Sequence, residues 1–116
     1  MRIVRSHLKL AAVAASLMLW QGAAFAADAV KGKQNFLKYG CWQCHGTVGQ
    51  GGVTGPKLAP DPLPLEAISA FIRNSNRAMP PYREAVLPNE DLADIHAYLS
   101  SIPKAPDYKS IPLLND

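Results

Sequence analysis

Cysteine and histidine residues stand together at one point of the chain, in the run Cys41-Trp42-Gln43-Cys44-His45. Two thiols at this C-x-x-C spacing can each add to one vinyl group of a haem, forming two thioether bonds. The histidine that follows can then place its imidazole against the iron as the proximal ligand. The motif therefore predicts one covalent haem c, bound through Cys41 and Cys44, with His45 as an iron ligand.

Two other chemistries use closely spaced cysteines, and the sequence gives less support to each. A C-x-x-C pair in a thioredoxin-like dithiol protein belongs with a βαβ pattern, whereas no strand pattern is visible here. Structural zinc usually needs four ligands at wider spacing. Beyond the first 26 residues the chain has only two cysteines and two histidines, His45 and His96. Haem attachment is therefore the favoured interpretation.

The second axial ligand is predicted to be Met79, the only methionine beyond residue 26. It follows His45 by 34 residues and lies in the proline-rich turn Met79-Pro80-Pro81. A thioether ligand favours Fe(II), and a filled position excludes other ligands. Three alternatives are open: Met79 as a gap-filling core residue, His96 as the distal ligand, and an open iron position.

Residues 1–26 have the pattern of a secretory signal peptide. Met1–Lys9 is basic, Leu10–Trp20 is an apolar run of 11 residues, and Ala24-Phe25-Ala26 is an A-x-A cleavage site. The alternative is an uncleaved anchor, but a membrane span needs about 20 apolar residues. We therefore expect export, a periplasmic location and no stable membrane span after cleavage.

Removal of this leader changes the charge of the chain. The full sequence has a net charge of +3, and Arg2, Arg5 and Lys9 leave with the leader, so the remainder has a net charge of 0. The basic pI is therefore no argument for nucleic-acid binding. Charge is still uneven, with +3 over residues 28–57 and −4 over residues 84–116, which fits either solvated helix faces or steering of a partner.

The elements that must position the motif are predicted to be helices. Apolar spacing predicts helices at 27–39, 65–74 and 88–102, with Val30, Phe36 and Leu37 near one face of the first. Gly40 ends the first helix and Pro88 suits the first position of the last. Residues 40–64 are rich in glycine and proline and predict a long loop, acceptable in a small domain if it wraps a cofactor. The expectation is an all-α domain at 27–102, with three to four short helices and long loops around one haem, and an extended C-terminal tail at 103–116.

In this order the motifs resemble the small class I cytochrome c family. The resemblance covers about Val30 to Ile102 and rests on the following segments: Gly32 with Phe36, Cys41–His45, Gly55-Pro56-Lys57-Leu58, Met79-Pro80-Pro81 and Ala97-Tyr98-Leu99. It implies a cytochrome c fold in which Gly32 lets the terminal helices cross closely and Phe36 touches Tyr98. It also implies that the Pro56 carbonyl accepts a hydrogen bond from His45. Apolar residues that could line the haem pocket, each equally able to be plain core, are Trp42, Leu58, Phe71, Tyr82 and Leu99. The chain departs from the family pattern at Pro88, where a hydroxyl residue often caps the last helix.

The resemblance implies an electron carrier rather than an enzyme. The expected role is periplasmic electron transfer, as a shuttle or as the cytochrome subunit of a dehydrogenase, with a dehydrogenase as donor and a cytochrome or oxidase as acceptor. The near-neutral charge and the apolar tail segment Ile111–Leu114 favour the subunit slightly, and a disordered end is the alternative. Lys38, Lys57 and Arg77 are candidates to steer acidic partners. The alternative function is a haem enzyme or gas-binding sensor with an open sixth coordination position.

Overall fold

The computed structural model describes residues 26–114, so the body of the predicted signal peptide lies outside the described residues. This part of the chain folds into four α-helices, with no β-strand among residues 26–114. The helices are α1 (Ala29–Lys38), α2 (Trp42–His45), α3 (Leu65–Asn74) and α4 (Asn89–Ser101). The prediction of an all-α fold with three to four short helices is confirmed.

The first and last long helices cross at a glycine. A Cβ atom on Gly32 would overlap the Asp94 carbonyl oxygen and would lie 2.8 Å from the Tyr98 Cβ atom. One turn further along α1, the ring centroids of Phe36 and Tyr98 are 5.7 Å apart. The close crossing and the aromatic contact that the family resemblance implied are both confirmed.

The hydrophobic core forms where α1, α3 and α4 meet. Its buried apolar residues are Phe36, Ala59, Ile72, Leu87, Leu92, Ile95, Tyr98 and Leu99. Four of them lie on α4 at helical spacing, because a helix that packs on two neighbours needs a wide apolar stripe. The core thus fixes the two ends of the domain, and the chain between them carries the C-x-x-C-H motif.

Two details of the helices differ from the sequence expectations. Val30 and Leu37 are 72% and 44% exposed, because the crossing at Gly32 turns a different face of α1 toward α4. Pro88 is the residue before α4 rather than its first helical residue, with an extended backbone (φ −56°, ψ 153°). It still suits a helix start, since a missing N–H is no loss there.

The segment after α4 lies on the surface. It forms two short 3₁₀ turns, Tyr108–Ser110 and Pro112–Leu114, and Lys104 forms an exposed ion pair with Asp61 at 2.9 Å. Within residues 26–114, none of the helices has the length and apolar character needed to cross a membrane.

Candidate haem-binding site

A single helical turn presents the two thiols and the imidazole together. Gly40 ends α1 in the left-handed region (φ +76°), and the Cys41 N–H donates back to the Phe36 carbonyl at 3.2 Å. The turn α2 follows at once, so Cys41, Cys44 and His45 stand at i, i+3 and i+4, neighbouring positions on one helix face. Cys41 is half-buried, Cys44 is exposed and His45 is buried.

The ring of His45 is held by a backbone carbonyl. Its Nδ1 atom lies 2.7 Å from the Pro56 oxygen, and because a carbonyl only accepts, Nδ1 carries the proton and Nε2 has a free lone pair. Nε2 itself has no hydrogen-bond partner among residues 26–114. Every fully buried side-chain nitrogen or oxygen atom in that range does have a partner, so Nε2 is not fully buried. Nε2 therefore reaches accessible space, as a metal-ligating nitrogen must.

The loop after α2 is folded tightly to bring Pro56 to this ring. The Gly51 N–H donates to the His45 carbonyl at 2.8 Å, and the Gly52 N–H donates to the Gly55 carbonyl at 3.0 Å. A Cβ atom on Gly55 would lie 2.7 Å from the Cys44 carbonyl oxygen and 3.0 Å from the His45 Nδ1 atom. A side chain at this position would therefore push the loop away from the imidazole.

Several apolar side chains near the core are only partly buried. Those packed against the core are Tyr39, Cys41, Leu58, Leu65, Ile68, Met79, Tyr82 and Ile102. Three of the predicted site residues, Cys41, Leu58 and Met79, belong to this set. Of the other candidates for the pocket lining, Leu99 is fully in the core, while Trp42 and Phe71 are 41% and 56% exposed.

The segment that carries Met79, residues 75–82, is held by hydrogen bonds at both ends. The Ser75 hydroxyl donates to the Met79 carbonyl at 2.7 Å. The Tyr82 N–H donates to the Ile72 carbonyl at 2.8 Å, and the Arg73 guanidinium donates to the Tyr82 carbonyl at 2.7 Å. The Met79 backbone is therefore held in a defined position next to the core.

Sequence reasoning missed a chain of polar contacts beside the motif. The Tyr82 hydroxyl donates to the Tyr39 carbonyl at 2.9 Å, and the Tyr39 hydroxyl donates to the Asp91 carboxylate at 2.5 Å. Lys38 completes the chain, 3.7 Å from Asp91. These contacts connect the end of α1, the start of α4 and the segment that carries Met79, and no local sequence pattern predicts them.

Burial changes the acidity of two groups in this region. It raises the pKa of the Cys41 thiol to about 11, since a thiolate is poorly solvated there. Burial also raises the pKa of Tyr82, and the neighbouring Cys41 and Cys44 add to this when they are ionised. Conversion of the cysteines to thioethers removes both ionisable thiols.

The donors present fit a haem better than a bare metal ion. No group of three or more His, Cys, Asp or Glu side chains within residues 26–114 could hold a metal ion. The rival ligand His96 has its Nε2 atom 3.0 Å from the Leu63 carbonyl oxygen, so that nitrogen is already engaged. Cys41, Cys44 and His45 instead combine two attachment points with one nitrogen ligand, and Cys41 also packs against the core.

A haem-attachment motif on a helical turn, inside an all-α domain of this topology, defines a c-type cytochrome. The family model for cytochrome c oxidase, cbb3-type, subunit III matches residues 27–99, and the chain belongs to this family. No curated protein and no solved structure matches the chain. The protein is thus a small c-type cytochrome with haem c bonded to Cys41 and Cys44, and its chemistry is haem-based electron transfer.

Proposed function

We propose that the chain is exported to the periplasm and carries single electrons between redox proteins, as a shuttle or as the cytochrome subunit of a larger oxidoreductase. The observation that carries this proposal is the 2.7 Å contact between His45 Nδ1 and the Pro56 carbonyl oxygen. It leaves Nε2 free for iron next to the two attachment cysteines. Export is supported by the leader pattern, and c-type cytochrome domains are typically extracytoplasmic.

The haem supplies a one-electron Fe(II)/Fe(III) couple when bound. The protein's contribution is to hold the ligands still. His45 is fixed through Pro56, and such a hydrogen bond sets ring orientation and raises the basicity of the ligating nitrogen. Cys44 is exposed, so the attachment side of the site is accessible to a partner.

Met79 is proposed as the second axial ligand. It is the only methionine beyond residue 26, it is partly buried against the core, and Ser75 holds its backbone. The engagement of His96 by Leu63 supports this choice over a bis-histidine site. A filled sixth position supports an electron carrier over a haem enzyme or gas-binding sensor.

Two features support the subunit form of the proposal. The family's description names subunit III of a cbb3-type cytochrome c oxidase. A numbered subunit belongs to an enzyme with several subunits. The tail exposes Leu113 and Leu114, at 87% and 62%, and exposed apolar residues in sequence can dock on a partner. A periplasmic dehydrogenase and a terminal oxidase are both suitable partners for a one-electron carrier.

The proposal is tested by size-exclusion of a native periplasmic extract, with haem absorbance as the readout and mass spectrometry to find this chain. Co-elution with a much larger protein supports the subunit, and elution at monomer size supports the shuttle. A double variant Leu113→Asp/Leu114→Asp tests the tail, with Val53→Asp as control because Val53 is fully exposed elsewhere. Absence of the chain from the periplasm, or from every haem-absorbing fraction, would contradict the proposal.

A further inference from the structure

Asp94 is a buried residue whose carboxylate forms no ion pair within residues 26–114. It is 5% exposed, and its Oδ1 atom accepts a hydrogen bond from the Asp28 backbone N–H at 2.7 Å. The ion pairs within residues 26–114 join Lys38 to Asp91 and Lys104 to Asp61, so neither involves Asp94. Its Oδ2 atom has no hydrogen-bond partner among residues 26–114. Because every fully buried side-chain oxygen there has one, Oδ2 reaches accessible space. An opposite charge at that point would stabilise a carboxylate that is otherwise mostly buried.

A pocket of about 160 Å³ opens beside this carboxylate. Its lining residues are Ala26, Ala27, Lys31, Glu90, Ala93 and Asp94. The two alanines flank the predicted signal-peptide cleavage site, the bond between Ala26 and Ala27. The pocket therefore combines two carboxylates with the point at which export would create a new chain terminus.

We propose that cleavage after Ala26 places the new α-ammonium group of Ala27 in this pocket, where it pairs with Asp94 and Glu90. Backbone nitrogens of consecutive residues are at most about 4 Å apart, and the Asp28 nitrogen is 2.7 Å from Asp94 Oδ1. The Ala27 nitrogen thus lies within about 7 Å of that oxygen, a distance that rotation of one terminal residue can shorten.

The charges around the pocket favour a cation in it, because negative groups outnumber positive ones. Asp28, Glu90 and Asp94 bring three carboxylates, of which Asp28 already caps α1 through the N–H groups of Val30 and Lys31. Against them stand the exposed Lys31 side chain and the positive N-terminal end of α1. Before cleavage the Ala27 nitrogen is a neutral amide, so processing itself supplies the charge.

This inference rests on the proposed export. It gives cleavage a structural role, because the ammonium–carboxylate pair ties the new terminus to α4 at the crossing of the two terminal helices. The uncleaved chain has the same residues but lacks the pair. The mature N-terminus is thereby an internal ligand of the fold rather than a free end.

The test uses the mature holoprotein purified from the periplasm. Intact mass first gives the N-terminal residue, and competitive acetylation at a series of pH values, with the N-terminal peptide read by mass spectrometry, gives the α-amino pKa. An ordinary α-amino group has a pKa of about 7.7–8.0. We expect a midpoint raised by about one unit, since a nearby carboxylate favours the ammonium form.

The variant Asp94→Asn should return the midpoint toward its ordinary value, while its amide oxygen can still accept from the Asp28 N–H. Asp107→Asn is the control, because Asp107 lies in the tail. An ordinary midpoint in the unmodified protein, or a raised midpoint that Asp94→Asn leaves unchanged, overturns the inference. A mature chain that begins at another residue also overturns it. That result would not bear on haem attachment or electron transfer, which are measured separately.

Discussion

Gly32 and Asp94 approach each other so closely that a single methyl group on Gly32 would overlap the Asp94 carbonyl oxygen. The overlap involves backbone on the α4 side, which cannot rotate away as a flexible side chain does. The crossing of α1 and α4 therefore depends on the absence of a side chain. It matters for the site, because α1 leads directly into the turn that bears the cysteines.

Replacement Gly32→Ala should destabilise the holoprotein strongly. Overpacking a close contact costs about 1–3 kcal/mol, and here the helices must separate, so we expect a loss at the top of that range. In a domain of this size this corresponds to a fall in Tm of roughly 12 °C or more. Lys33→Ala, at an exposed position of the same helix, is the control and should stay within about 0.5 kcal/mol. Equal melting temperatures for the two variants would contradict the prediction.

Gly55→Ala should disturb the proximal histidine. The added Cβ atom would lie 2.7 Å from the Cys44 carbonyl oxygen and 3.0 Å from His45 Nδ1, and relief of these contacts moves Pro56 away from the ring. A weaker hydrogen bond makes His45 a less basic ligand, so the reduction potential should rise. Stability should fall by about 1–3 kcal/mol.

Gly52→Ala is the matched control for this variant. Its Cβ atom would lie 3.4 Å from the same Cys44 carbonyl oxygen, a contact that a small shift relieves. Potentiometric titration and thermal melting of both holoproteins check the prediction. A potential that moves equally in Gly52→Ala and Gly55→Ala would show that the His45–Pro56 contact is not the cause.

The sequence predicted the three long helices to within two residues at each end. Apolar residues at helical spacing, with glycine and proline at the borders, carry enough local information for this. The four-residue helix α2 was not predicted, because one turn is too short to show periodicity. The exposed Val30 shows the other limit, since the buried face of α1 depends on where α4 crosses it.

In the site, as in the fold, local patterns predict some features and contacts between distant residues are not predicted. The cysteine spacing is a local pattern and identifies the attachment points. The approach of Pro56 to His45 came from a family resemblance rather than from any local rule. The contact between Tyr39 and Asp91 joins residues 52 apart in sequence, and neither residue has a pattern around it that points to the other.

Tyr82 should make stability depend on alkaline pH. Burial raises its pKa in the folded protein above the ordinary value of about 10, so the native state holds the phenol proton more tightly than the unfolded chain. This contribution is fully present below pH about 10 and is lost as pH rises through the folded-state pKa. Deprotonation also removes the donor for the hydrogen bond to the Tyr39 carbonyl.

Tyr82→Phe tests this through urea unfolding at neutral and alkaline pH. The variant should lose about 0.5–1.5 kcal/mol at neutral pH, the typical net value of one hydrogen bond. Its stability should then fall less steeply than that of the unchanged protein above pH 10. Tyr108→Phe is the control, because Tyr108 is 60% exposed. Parallel alkaline slopes for Tyr82→Phe and the unchanged protein would contradict the assignment.

Met79→Ala should open the sixth coordination position. The reduced variant should bind carbon monoxide at neutral pH, whereas the unchanged protein should not, because the thioether occupies the site in the proposal. Loss of a ligand that favours Fe(II) should also lower the reduction potential. Val86→Ala is the control, because Val86 follows Met79 closely in the sequence but is 58% exposed. Ready binding of carbon monoxide by the unchanged protein would instead support the gas-binding alternative.

The three basic residues that are candidates to steer a partner should differ in their effect on association. Lys38 is already paired with Asp91 at 3.7 Å and its ammonium lies 4.6 Å from the Tyr39 ring centroid, so part of its field is neutralised. Lys57 follows Pro56 directly and is exposed, as is Arg77 in the Met79 segment. We therefore expect Lys57→Gln and Arg77→Gln to reduce the salt dependence of electron transfer to an acidic partner more than Lys38→Gln does.

Stopped-flow electron transfer at several ionic strengths measures this slope for each variant. Lys104→Gln is the matched control, because Lys104 is paired with Asp61 and lies in the segment after α4. Steered association is salt-sensitive because the Debye length falls from about 30 Å at 0.01 M to about 10 Å at 0.1 M. If the triple variant of Lys38, Lys57 and Arg77 kept the slope of the unchanged protein, these three charges would have no part in docking. The steering surface would then have to be sought among the acidic residues of α4 and the tail, with a basic partner.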